Sequence, residues 1–143
     1  MTSIARKPFY SSITIIVLLP LAVFFINGIL IFVVETRTLV EYKIDNIIHV
    51  FGGASICLSS AGILCHLMHR KIITLQDENV FRFLVFGFLC FVVIGWETLE
   101  YVIFYPHEFL TYTDTISDMI CGLIGGLFTV PFFRKAVLAM NSP

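Results

Sequence analysis

SITIIVLLPLAVFFINGILIFVV, from Ser12 to Val34, contains no charged residue. A bilayer core takes about 20 apolar residues per helix, and this run is long enough to cross one. Pro20 is the one position where a kink is expected. Arg6 and Lys7 precede the run as they would the apolar core of a signal peptide. The run is too long for such a core and no A-x-A-like site follows it, so a retained first span is expected.

The rest of the chain has the same character. Of its 143 residues 58% are hydrophobic and only 13% charged, against about 25% charged in soluble domains. Lipid is the expected solvent for much of that apolar surface. Three further apolar stretches follow, at about 45–68, 80–105 and 114–138. Arg82 stands near the edge of the third, where a long side chain can snorkel, and Pro131 is expected to bend the fourth or end it early. Short connections between four helices predict an all-α integral membrane fold, an antiparallel four-helix bundle forming one domain over residues 1–143. Cys57, Cys65, Cys90 and Cys121 fall inside apolar runs and none lies in a C-x-x-C, so no disulfide framework is expected. A net charge of −1 excludes the basic footprint of a nucleic-acid binder and a charged disordered tail.

That near-zero charge is the sum of two separated populations. With the N-terminus inside, Arg6, Lys7, Arg70, Lys71, Arg82, Arg134 and Lys135 lie on the inner side, against Arg37 and Lys43 outside. The positive-inside rule then puts both termini in the cytoplasm. The acids divide the other way: Glu35, Glu41, Asp45, Glu97, Glu100, Glu108, Asp114 and Asp118 lie toward the outer face, and only Asp77 and Glu78 toward the inner one.

Helical spacing gathers six of these polar side chains. Asp45 and His49, four apart, share a face of the second helix; Glu97 and Glu100, three apart, share one on the third; Asp114 and Asp118, four apart, share one on the fourth. At about 1.5 Å per residue, His49 and Asp118 lie roughly 6 Å inside their helix starts and Glu97 roughly 12 Å before its helix end. Each ionisable group within a span costs about 2.5–3.5 kcal/mol on insertion scales. Arg37 and Lys43 can neutralise two. The others must hold protons through coupled titration or enclose a cation, and carboxylates with one imidazole suit Mg²⁺, Mn²⁺ or Ca²⁺ and accept Zn²⁺ or Fe²⁺. Asp45, His49, Glu97, Glu100, Asp114 and Asp118 are therefore the expected metal ligands. N-capping or interfacial solvation is the competing account for Asp45, Asp114 and Glu100.

Three motifs here resemble a known family. Asp45-Asn46-Ile47-Ile48-His49 with Gly52-Gly53, Trp96-Glu97-Thr98-Leu99-Glu100-Tyr101, and Asp114-Thr115-Ile116-Ser117-Asp118-Met119 with Gly122 and Gly125-Gly126 resemble the signatures of the YjdF-like bacterial inner-membrane proteins. A looser similarity to VanZ-like proteins, linked to lipoglycopeptide tolerance, runs through the D-x-x-x-H and D-x-x-x-G elements. The resemblance covers roughly Asp45 to Leu127. It implies a multi-pass protein of the bacterial inner (cytoplasmic) membrane and no defined reaction.

Other chemistry is less well supplied. His66 and His69 form an H-x-x-H near the inner end of the second helix, where an interfacial role is favoured. Four histidines (His49, His66, His69, His107) are too few for a desaturase, and none are placed to face one another across a haem. Neither Glu97 nor Glu100 has the histidine three residues on that a di-iron bundle requires. Ser55, Ser59 and Ser60 are expected to bond backbone rather than act as nucleophiles, and the glycines at 52, 53, 122, 125 and 126 to let helices two and four approach. The phenylalanines of helix three are expected to face lipid, and Trp96 to pack over the site.

Two functions fit. One is an outward-facing acidic/His pocket that binds a divalent cation and recognises or acts on a lipid-linked envelope substrate. The other is a non-enzymatic accessory or structural subunit, with a membrane-protein partner or a second copy of the chain.

Overall fold

The computed structural model describes residues 13–34, 38, 43–104 and 112–140. Arg6, Lys7, Glu35, Arg37, Glu41, His107 and Glu108 lie outside the described residues. Four helices account for almost all of the described chain: α1 (Ile13–Val33), α2 (Ile44–His69), α3 (Glu78–Phe104) and α4 (Tyr112–Met140), with no strand among the described residues. Ile44–His69 and Glu78–Val102 are long and apolar enough to cross a membrane, and α1 contributes a shorter apolar stretch, Val17–Leu30. Pro20 and Pro131 both stand inside continuous helix, so α4 does not stop at its proline but runs on to Met140.

The helix starts bear on the capping account of the acids. Lys43, not Asp45, occupies the position before α2, with left-handed backbone (φ 58°) and no side-chain cap hydrogen bond. Asp45 and Asp114 both lie within the first turns of their helices, where a carboxylate meets the positive end of the helix dipole.

Each packed helix presents a row of buried residues four apart. On α3 the row is Phe81, Val85, Leu89, Val93 and Glu97; on α2 it is Gly53, Cys57, Ala61 and Cys65, with His49 next in line. On α4 it is Asp114, Asp118, Gly122 and Gly126. Such i±4 ridges are the standard means of interdigitating two helices. In every row the polar residues are the continuation, at one end, of the apolar core.

The rows fix the directions. Asn46, Val50 and Gly53 of α2 meet Ser117, Gly125 and Gly122 of α4, so the two helices run the same way. Val93, Leu89 and Phe81 of α3 meet Gly122, Gly126 and Phe133 of α4 in descending order, so α3 is antiparallel to both. The most extensive pairing is α2 with α4; α1 packs on α2, and α3 spans α2 and α4. The Phe81 and Phe133 rings close the far end edge to face, 6.2 Å apart.

Phe81, 1% exposed, therefore belongs to the core, contrary to the expectation that the α3 phenylalanines face outward. Phe83 and Phe91 do face outward, at 76% and 74% exposure. Arg82 pairs with Glu78 one turn before it.

Glycine makes the α2–α4 pairing possible. A methyl group on Gly53 would be driven into the carbonyl of Gly122, and one on Gly125 into the carbonyl of Val50. Backbone cannot step aside as a side chain can, so the helices would have to separate. Gly52 is different: it turns away from α4, and a Cβ there meets only Val23 of α1, at 3.9 Å.

Gly125→Ala is accordingly expected to destabilise the fold by about 1–3 kcal/mol, whereas Gly87→Ala, with open space around it, leaves stability unchanged or slightly raised. Thermal unfolding of detergent-solubilised protein, followed by circular dichroism, distinguishes the two.

Candidate metal centre

The polar ends of the three rows meet at one level. The first turns of α2 supply Asp45 and His49, the last turns of α3 supply Glu97 and Glu100, and the first turns of α4 supply Asp114 and Asp118. His49 stands in the middle. Its Nδ1 is 3.3 Å from Glu97 Oε1, and its Nε2 is 3.6 Å from Asp45 Oδ1.

Two sets of side chains offer ligand atoms close enough to share an ion: Asp45, His49 and Asp118, and His49, Glu97 and Glu100. Within each set the atoms lie within 4.8 Å of one another. His49 is common to both. Asp114 is buried beside them but belongs to neither set. Thus five of the six expected ligands are brought together. His66 and His69, at the opposite end of α2, join no such set among the described residues.

The centre is largely buried and poor in donors. Glu97 and Asp118 are 5% and 4% exposed. Glu97 Oε1, Glu100 Oε2, Asp118 Oδ1 and His49 Nε2 are all buried without a hydrogen-bond partner. An unsatisfied buried polar atom costs about 1–3 kcal/mol, more when charged. Among the described residues, no Lys or Arg forms an ion pair with Asp45, Glu97, Glu100 or Asp118. Lys43 is exposed at the start of α2. The acceptors thus outnumber the donors, so the buried acids must hold protons or enclose a cation.

The chemistry of the ligand set is that of a hard or borderline divalent ion: carboxylate oxygens with a single imidazole. Three helices hold the ligands, and α2 and α4 are locked side by side by their glycines. Asn46, next to Asp45, reinforces that pairing by donating from Nδ2 to Ser117 Oγ at 2.6 Å, with Cys121 Sγ at 3.4 Å. Sequence reasoning passed over this bridge. The one signal in the sequence is an amide and a hydroxyl each adjacent to a candidate ligand.

Two serines of α2 bond to their own helix. Ser55 Oγ donates to the Gly52 carbonyl at 2.7 Å and Ser60 Oγ to the Cys57 carbonyl at 3.0 Å. Trp96, next to Glu97 in the chain, lies edge to face with Phe24 of α1 at 5.3 Å.

No protein-family model, curated protein or solved structure matches the chain. The resemblance to YjdF-like and VanZ-like proteins rests on the three motifs themselves.

The Asn46–Ser117 bridge provides a test of how the centre is held. A double-mutant cycle with Asn46→Ala and Ser117→Ala is expected to give a coupling of about 0.6 kcal/mol, the usual size of an interhelical hydrogen bond in a membrane protein. Additive losses in unfolding free energy would show that the bridge carries none of the α2–α4 pairing.

Proposed function

We propose that the protein is a four-span inner-membrane protein, related to the YjdF-like proteins, whose outward-facing centre binds a divalent cation and recognises a lipid-linked envelope substrate. Both termini lie in the cytoplasm. His49 holds the ion either with Asp45 and Asp118 or with Glu97 and Glu100, and the remaining acids add negative potential around it.

One observation carries this reading. Carboxylates and an imidazole from three helices converge within ligand distance in two sets that share His49, and single buried oxygens of Glu97, Glu100 and Asp118 have no hydrogen-bond partner. A bound cation compensates them together. The broad apolar exposure of α1 and α3, for example Phe25 at 64% and Phe91 at 74%, supports lipid as their surroundings. The basic residues gathered at the opposite ends of the helices support the orientation.

Metal analysis of protein purified without chelator is expected to find about one divalent ion per chain. Glu97→Gln and Asp118→Asn each lower the affinity at least about tenfold, the cost that loss of even an outer-shell partner produces. Because protons compete for the same ligands, affinity falls as the pH is lowered. Unchanged metal affinity in both variants, or no metal in the wild type, refutes the cation site. Orientation is read separately: a green fluorescent protein fused after Pro143 fluoresces and alkaline phosphatase fused there is inactive, and the reverse pattern refutes cytoplasmic termini.

A further inference from the structure

Beside the polar cluster lies a cavity of about 270 Å³ between α1, α2 and α3. Its walls are apolar side chains such as Leu21, Phe24, Ile56 and Val92 together with the bare backbone of Gly52. Its polar lining includes Asn27 of α1 as well as His49 and Glu97 of the centre. The volume is just below the range of about 300–1,000 Å³ typical of small-ligand sites, enough for one chain segment and not for a whole lipid.

Two polar groups in this cavity point to its occupant. Asn27 is 7% exposed and Glu97 5% exposed, and Asn27 Oδ1 and Glu97 Oε1 are buried without a hydrogen-bond partner. Both are acceptors. Asn27 is the only strongly polar side chain in an otherwise apolar stretch of α1. The indole N–H of Trp96, which also lines the cavity, is taken up by Glu100. The cavity therefore offers acceptors at one end and hydrocarbon at the other.

We infer that this cavity binds the chain of an amphiphile whose head donates hydrogen bonds to Asn27 and Glu97. The head is a hydroxyl or an amine. A dianionic phosphate is disfavoured, because it has no hydrogen to donate to the two unpartnered acceptors. This deepens the reading of the centre as a site for a lipid-linked substrate and rests on it for the placement of the centre within the bilayer. It does not require the cation.

The chain contains one tryptophan, Trp96, and it lines the cavity, so a bromine-bearing ligand that enters quenches the intrinsic fluorescence directly. Protein in nanodiscs is titrated with 10-bromodecan-1-ol, 10-bromodecylamine and 10-bromodecyl phosphate. Saturable quenching is expected for the alcohol and the amine, with the phosphate at least about tenfold weaker. Whichever of the two binds more tightly identifies the head, and either ranking supports the inference. Gly52→Leu, at a wall position where a Cβ meets no backbone, is expected to abolish the saturable component. Asn27→Leu weakens the alcohol about fivefold, the equivalent of one hydrogen bond. Quenching that rises linearly with probe in both the wild type and Gly52→Leu, or equal binding of the phosphate, overturns the inference. Metal content measured on the same samples separates the two readings. Saturable quenching without metal leaves the chain site standing and removes the cation, and metal without saturable quenching does the opposite.

Discussion

The contact on which the rest depends is the backbone-to-backbone approach of α2 and α4 at Gly53, Gly122, Gly125 and Val50. Helices pressed together this closely have no freedom to slide, because their i±4 ridges must interlock. Once Gly53 is set against Gly122, one turn toward the polar end brings His49 to the level of Asp118. The antiparallel α3, held by Val93 against Gly122 and Leu89 against Gly126, then delivers Glu97 to the same level. The polar centre is not a separate construction placed on a bundle. It is what the bundle's own packing rows become where their apolar residues give way to carboxylates and an imidazole.

Continuity of the rows also explains how deeply the acids are buried. A surface carboxylate could turn into solvent, but Glu97 occupies the position that the sequence Phe81, Val85, Leu89, Val93 reserves for the core. Substitution by an apolar residue there would satisfy packing completely. Keeping an acid in that place sacrifices stability, since it leaves buried oxygens without partners. Sites at which a fold gives up stability in this way are where function is usually found.

How much of this could be read in the sequence depends on the range of the interaction. The four helices follow from apolar runs and short connections, and the convergence of Asp45, His49, Glu97, Glu100 and Asp118 follows from spacing along three helices that start or end on one side. The glycines announced a close contact but not which of them make it; Gly52 faces α1, and only the rotation of α2 decides that. Phe81 looked like its exposed neighbours because burial in a mostly apolar helix leaves no contrast in the sequence to reveal the inner face. Asn27 was harder still. One amide in a charge-free run becomes conspicuous only when a cavity opens beside it, and that cavity is formed by three helices distant in sequence.

His49 and Glu97 belong at once to the cluster and to the cavity wall, and this shared membership couples the two proposals. A carboxylate oxygen near an imidazole can be compensated by a cation or by a donor from a ligand, and the two compete where they seek the same oxygen. Glu97 has two oxygens, however. An ion held by one leaves the other free to accept a hydrogen bond, and the ion's charge then draws the electron density that a donor would otherwise meet. Occupation of the cluster therefore weakens the attraction for an ammonium head much more than for a neutral hydroxyl, since like charges repel strongly where the dielectric constant is low. With the cation in place, the geometry favours a neutral, alcohol-bearing chain at Asn27 and Glu97. Without it, the same pocket favours an amine. On the proposed reading the charge state of the centre would bias the choice of head, and by linkage a tightly bound amine would oppose the ion to the same degree.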